Sequence, residues 1–260
     1  MRYHNPVLLQ SACHFLAVKP GGHYVDCTLG GGGHTTEIIR LGGLVLGLDQ
    51  DPEALQACPD LDGLTKVQAN FIHLAEVVQT HNWQPVQGVL LDLGVSEHQI
   101  NIPGRGFSFQ LPGPLDMRMD PALPNTAGTL VNQLSANQLT SLFKDYGEIP
   151  VAKLLAAKII AARPLTTTDQ LASITGKWSR QAFQALRITV NDELGALAAV
   201  LPQAKEILAP EGRLVVISFH SLEDRLVKQT LKDMATLTPK PVIGEKGAKL
   251  RAYVKTFNHS

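Results

Sequence analysis

The sequence predicts an α/β protein, a doubly wound parallel sheet interrupted by a mostly helical insertion. Three observations carry this. Short apolar runs and amphipathic stretches alternate four times between residues 23 and 94. The first apolar run empties through four glycines, Gly30-Gly31-Gly32-Gly33, into the start of a helical pattern. That arrangement brings backbone N–H groups and the positive end of a helix to a nucleotide-like cofactor. The alternation then stops for about 90 residues, far longer than an ordinary connection, before an amphipathic stretch over 191–208 and a further apolar run over 213–219.

Taken in order, Val7, Leu8, Leu9, Ala12, Phe15, Leu16 and Val18 mark a helix that ends at the turn Lys19-Pro20-Gly21-Gly22. Residues 23–29 are the first strand, and 35–41 a helix stopped by Gly42-Gly43. A second strand over 44–48 ends at Asp49. Asp51-Pro52-Glu53 opens a helix through Cys58, with proline in the first turn, where its missing N–H costs no hydrogen bond. Strands over 65–69 and 88–94 flank a helix over 71–78. The interruption begins with an irregular stretch rich in Gly, Pro and Arg, 103–120, and continues in helical patterns over 126–133, 135–146, 150–163 and 167–174. An amphipathic helix over 191–208, a strand over 213–219, a helix over 222–234 and a last strand over 250–257 complete the chain. The domain division expected is 1–102 with 187–260 for the sheet domain, and 103–186 for the insertion.

Composition narrows the class. With 260 residues, 44% hydrophobic and 18% charged, the chain can bury a core in one large domain or two smaller ones. No apolar run reaches transmembrane length and residues 1–6 do not resemble a signal peptide, so a cytoplasmic protein without a membrane role is expected. Cys13, Cys27 and Cys58 show no C-x-x-C pairing, which fits a reduced compartment and argues against a disulfide framework or a zinc site. His4, His14, His23, His73 and His81 show no metal-ligand spacing. Net charge is zero, yet residues 1–102 carry 4 Lys/Arg against 10 Asp/Glu and residues 103–260 carry 19 against 13. The positive half is a candidate phosphate-facing surface.

Two cofactors compete for the glycine loop. The nicotinamide fingerprint G-x-G-x-x-G lacks its third glycine, since Thr35 or Thr36 stands there. Asp26-x-Thr28-x-Gly30-x-Gly32 instead follows the pattern of S-adenosylmethionine sites, an acid near the end of the first strand and small residues at alternating positions. Asp49 is placed to accept ribose hydroxyls in either case, and Asp92 to hold a base or amine near the cofactor. A hydrolase built on His220-Ser221 lacks the nucleophile elbow.

The motifs His4-x-Pro6-Val7-Leu8-Leu9, Tyr24-Val25-Asp26-x-Thr28-Leu29-Gly30-x-Gly32-Gly33-His34 and Leu91-Asp92-Leu93-Gly94-Val95-Ser96 resemble those of the bacterial 16S rRNA cytosine-N4 methyltransferases, the MraW or RsmH family. So do Arg105-Gly106-Phe107-Ser108-Phe109, Gly113-Pro114-Leu115-Asp116-Met117-Arg118-Met119-Asp120, the stretch from Phe183 to Leu194 and Ile217-Ser218-Phe219-His220-Ser221-Leu222-Glu223-Asp224-Arg225. The resemblance implies a Rossmann-like class I methyltransferase sheet with an inserted substrate-recognition domain. It implies S-adenosyl-L-methionine held by Gly32, Gly33, His34, Asp49, Phe71, Asp92 and Gln99. The implied substrate is a cytosine in the decoding region of 16S rRNA, presented within the small ribosomal subunit. Departures fall at Gln10, at Glu97, at Ile149-Pro150, in the shortened stretch Trp178-Ser179-Arg180-Gln181 and ahead of Ala248, where a basic stretch is missing, mostly on the RNA-facing side.

For such a reaction the enzyme chiefly has to align N4 with an already activated methyl group. Asp92 or Asp116 is the candidate carboxylate that accepts an N4–H bond. Arg105, Arg118 and the lysines of the insertion are candidate phosphate ligands, Phe107 or Phe109 a stacking surface, and Arg187 and His220 further substrate contacts. Three alternatives stay open: methylation of another RNA or protein amine, a non-catalytic cofactor-binding ribosome-assembly factor, and the disfavoured nicotinamide oxidoreductase.

Overall fold

The structure is a computed structural model that describes residues 6–256. His4 and the end of the strand expected over 250–257 lie outside the described residues. The strands are β1 (His23–Asp26), β2 (Leu44–Asp49), β3 (Leu64–Gln68), β4 (Val86–Asp92), β5 (Leu208–Ser218), β6 (Ala235–Thr236), β7 (Val242–Ile243) and β8 (Lys249–Val254). The helices are α1 (Leu9–Leu16), α2 (Gly33–Arg40), α3 (Pro52–Ala57), α4 (Leu74–Thr80), α5 (Glu97–Asn101), α6 (Ala127–Gln133), α7 (Ala136–Asp145), α8 (Ala152–Ala161), α9 (Thr168–Thr175), α10 (Ser179–Asn191), α11 (Glu193–Ile207) and α12 (Ser221–Thr230).

The sheet runs β3-β2-β1-β4-β5-β8-β6, with β7 also paired to β8. β1 to β5 are parallel, as alternating strands and helices require. The expected all-parallel sheet is corrected at β8, which runs antiparallel to β5. Residues 244–248 connect β7 to β8, which runs antiparallel both to β7 and to β5.

Both faces of this sheet are buried, which is why the strands read as unbroken apolar runs. In β4, Val89 and Leu91 face a core built with Leu74 and Val78 of α4 and Leu197, Val200 and Leu201 of α11. Leu90 points the other way, to a core shared with Ala12 and Leu16 of α1 and Ile38 of α2. The alternation fixes the strand's register and so the position of its last residue, Asp92.

The chain forms two compact units, residues 1–94 with 194–260, and residues 95–193. The second unit has its own core, with Phe107, Met117, Val131, Leu139, Phe143, Leu155, Ile159, Phe183 and Leu186 among its buried members. It takes in α5 and all of α10, which the expected limits of 103 and 186 left out in whole or in part. α10 itself was not anticipated, because its run of β-branched residues, Ile188-Thr189-Val190, does not favour a helix by local propensity. Tertiary burial overrides that preference, with eight residues of α10 buried. The helix expected from residue 191 begins at Glu193, after Asp192 takes a left-handed conformation with φ 48°.

Candidate functional site

At the carboxyl ends of β1, β2 and β4 the first unit gathers three acids and the glycine loop. Asp26 closes β1 and is 1% exposed. It accepts hydrogen bonds from the Thr28 N–H at 3.1 Å and from Thr35 Oγ1 at 2.7 Å. Burial pushes its pKa up to about 6 against the pull of those bonds. The first strand thus stops at Asp26 rather than at residue 29, and its last carboxylate pins the loop that follows. Gly32, with φ 76°, caps α2, and a Cβ there would lie 2.6 Å from Cys58 Sγ. A side chain at Gly33 would press on the Pro6 ring at 3.0 Å. A side chain at Gly32 or Gly33 would thus crowd the neighbouring chain, and the left-handed backbone at Gly30 and Gly32 favours glycine.

Asp49 ends β2. Its Oδ2 accepts from the Gly30 N–H at 2.8 Å and its Oδ1 from the Asp51 N–H at 2.9 Å. Burial pushes this carboxyl up to about 6 as well. Each oxygen keeps a second lone pair, the chemistry needed for a vicinal diol such as ribose. Phe71 opens a 3-10 turn after β3 that leads into α4, so the helix expected over 71–78 is present from Leu74 with a 3-10 first turn. Asn70 caps that turn through the Ile72 N–H at 3.1 Å and reaches Gln50 at 2.9 Å.

Asp92 closes β4, and its backbone N–H donates to Thr28 Oγ1 at 2.7 Å. Its Oδ2 lies 3.6 Å from His34 Nδ1, and its buried Oδ1 has no hydrogen-bond partner in the structure. A buried acceptor left without a donor is expensive, and such atoms mark places where a ligand completes the bonding. Burial raises the Asp92 pKa well above the usual carboxylate range, and the negative charges of Asp26 and Glu223 add to the rise. His34 is anchored by Nε2–H donating to the Val7 carbonyl at 3.1 Å. Burial holds the imidazole down at about 4, so it is neutral near pH 7. Sequence reasoning placed His34 on the cofactor and missed this contact, because a carbonyl partner 27 residues away leaves no trace in a motif.

His220, expected on the substrate side, caps α12. Its Nδ1 accepts from the Glu223 N–H at 3.4 Å, while Glu223 Oε2 accepts from the N–H groups of Phe219 at 2.8 Å and His220 at 3.3 Å. This is the reciprocal capping geometry that fixes a helix start.

In the second unit several residues of the expected substrate set have partners within their own unit. Arg118, expected on phosphate, binds Asp116 through Nε and Nη2, both at 2.8 Å, and the carbonyls of Pro121 and Leu123 at 2.7 and 2.8 Å. Asp116, expected as a proton acceptor, has both oxygens in that pair. Burial raises its pKa, and the Arg118 hydrogen bonds and charge outweigh this to leave it below the usual range, a poor base. Arg105 donates to the carbonyls of Arg118 and Met119 at 3.1 and 3.0 Å. Arg187 makes a two-pronged bond to Glu193 at 2.7 and 2.9 Å. Phe107 is buried in the core and offers no stacking face. Phe109, half-exposed, packs its ring edge to face against Phe183 with centroids 5.8 Å apart. Gln99 closes a capping box with Ser96 at the start of α5.

The first unit thus presents a glycine cradle, a strand-end carboxylate for a diol and a buried carboxyl oxygen short of a donor. These fit S-adenosyl-L-methionine, a nucleoside carrying a sulfonium and an ammonium group. Among solved structures, NSun6 from Pyrococcus horikoshii matches with a TM-score of 0.50 at 12% identity, covering 96% of this chain and 52% of that one, a likeness of fold alone. Ribosomal RNA small subunit methyltransferase H of Symbiobacterium thermophilum is 47% identical over 251 residues, 88% of this chain and 79% of that protein. The protein of the same name from Thermomicrobium roseum is 48% identical over 247 residues, 87% of this chain and 76% of its own length. The family model described as the MraW methylase family matches residues 1–255, and the chain belongs to that family.

Proposed function

We propose that this S-adenosylmethionine-dependent methyltransferase methylates the exocyclic N4 amine of a cytosine in 16S rRNA, acting on the small ribosomal subunit in the cytoplasm. The observation that carries the reading is the unpartnered Asp92 Oδ1 at the end of β4, a strand hydrogen-bonded to the one that feeds the glycine loop. Gly32, Gly33, Asp49 and Phe71 hold the cofactor, which supplies an electrophilic methyl group. Among the described residues no helix is long and apolar enough to cross a membrane.

The N4 lone pair of cytosine is conjugated into the ring, so the amine must be turned and held in line before it attacks. Alignment of this kind is worth up to about 7–11 kcal/mol in favourable cases. Asp92 accepts an N4–H bond, which localises the lone pair on nitrogen as the new bond forms. Asp116, committed to Arg118, takes no part in proton handling. The base has to leave its stack to be reached. Phe109 is an aromatic surface that the second unit offers to RNA bases, and the exposed lysines of that unit engage phosphates.

The test is transfer of labelled methyl to small subunits that lack the modification, followed by nuclease digestion and mass identification of the nucleoside. N4-methylcytidine at one position is the expected result. Label in protein, or in another nucleoside, would overturn the substrate, and cofactor binding with no transfer would favour a non-catalytic assembly factor.

A further inference from the structure

The interior of the first unit contains a line of polar groups behind Asp92, and the methyl-transfer reading leaves its His34 link unused. It starts at the Val7 carbonyl, passes through the His34 imidazole and ends on Asp92. A carbonyl only accepts, so the 3.1 Å contact puts the ring proton of a neutral His34 on Nε2. Nδ1 is then a bare lone pair, turned toward Asp92 Oδ2 at 3.6 Å. A lone pair facing a carboxylate is repulsive, whereas a lone pair facing a carboxylic acid needs only a few tenths of an ångström of closure to accept its proton.

The charged groups that act on Asp92 point the same way. Asp26 on β1 and Glu223 on α12 are both acids, and each disfavours a negative charge on Asp92. With the proton directed to Oδ2, Oδ1 stays an unprotonated acceptor, and that is the oxygen without a partner.

We propose that His34 is a positioning residue that holds a proton on Asp92 until the sulfonium cofactor binds, and that this proton then leaves to solvent. The O–H bond of Asp92 breaks, its electron pair stays on the carboxylate, and the negative charge gained balances the positive charge that arrives. The site thereby tells S-adenosylmethionine from S-adenosylhomocysteine, which lacks the methyl group and the sulfonium charge. When the methyl group leaves, the sulfonium charge is lost, Asp92 takes back a proton (the one shed by the methylated amine or one from solvent), and the spent cofactor is released from an uncharged carboxyl group. The inference rests on the cofactor site proposed above and goes beyond it to how product is discriminated.

Calorimetric titration of the full chain with each cofactor, in buffers of different ionisation enthalpy, reads this directly. The expected result, followed over a pH series, is a net proton release with S-adenosylmethionine that S-adenosylhomocysteine does not show, with affinity for the cation rising with pH, by up to about tenfold per unit, below the Asp92 pKa. Asp92→Asn abolishes the difference. His34→Asn, whose amide can donate where Nδ1 now accepts, favours the carboxylate, moves the release to lower pH and shrinks it at neutral pH, a shift that loss of packing alone does not produce. Equal release for both cofactors, or none for the cation, overturns the proposal even if His34→Asn fails to fold. Unchanged release in a folded His34→Asn removes His34 from it. Failure of either cofactor to bind at all would instead overturn the cofactor site itself.

Discussion

Asp92 combines burial, an acceptor without a donor and two neighbouring acids, a costly arrangement for a residue that only maintains the fold. In an unfolded chain its pKa sits near 3.8, and in the fold it lies well above. Between those values the native state holds more protons than the unfolded state, so stability falls as pH rises through the window. Asparagine at this position has nothing to ionise. Asp92→Asn is therefore expected to match the parent in thermal unfolding near the lower end of the window and to exceed it increasingly toward neutral pH, while methyl transfer drops about 100-fold or more. Parallel stability curves for the two proteins would show that the carboxyl group titrates no differently in the fold. Gly32 gives a second residue-scale test. Gly32→Ala meets both the left-handed backbone and Cys58 Sγ, and is expected to cost about 2–4 kcal/mol. Pairing it with Cys58→Ala in denaturant titrations should restore the steric part and leave the backbone part, whereas no recovery would place the whole cost in the backbone.

The elements divide sharply by how much of them the sequence reveals. The glycine loop, the acids at the ends of β1, β2 and β4 and the start of α3 at Asp51-Pro52 are local events, written in residues a few positions apart. They are legible, as is most of the parallel sheet. The arginine-rich stretch over 103–120 is legible only as a functional-looking loop. Its arginines look like phosphate ligands because composition counts donors and cannot see which carbonyls the backbone turns toward them. Arg118 spends four hydrogen bonds on Asp116, Pro121 and Leu123, and Arg105 ties the carbonyls of Arg118 and Met119. α10 is hidden for the related reason that burial, not propensity, makes it a helix. Arg118→Ala should then act on the loop before it acts on substrate. The expectation is a loss of about 1–3 kcal/mol in chemical unfolding and faster proteolytic cleavage between residues 103 and 126. Intact stability with weakened RNA binding would return Arg118 to the phosphate-binding role.

At the scale of the whole molecule, folding redraws the charge map. The sequence halves differ by 4 Lys/Arg against 10 Asp/Glu and 19 against 13, but the basic tail folds into the same unit as the acidic first hundred residues. Residues 95–193 alone hold 9 Lys/Arg and 8 Asp/Glu, close to neutral. Of those cations, Arg105, Arg118, Arg163 and Arg187 hold carbonyls or carboxylates of their own unit. Lys144, Lys153, Lys158, Lys177 and Arg180 are exposed. Attraction for RNA is thus a matter of where a few side chains stand and not of net charge. Replacing Lys153, Lys158 and Lys177 together by glutamine should leave the unfolding temperature within a degree or two of the parent. It should raise KM for the ribosomal substrate, leave kcat unchanged and flatten the logarithmic dependence of affinity on salt by about 0.7–0.9 for each lysine that meets a phosphate. An unaltered salt slope would mean that none of the three does, and would move the RNA-binding surface to the basic tail, where Lys240, Lys246 and Lys249 offer the next set of cations.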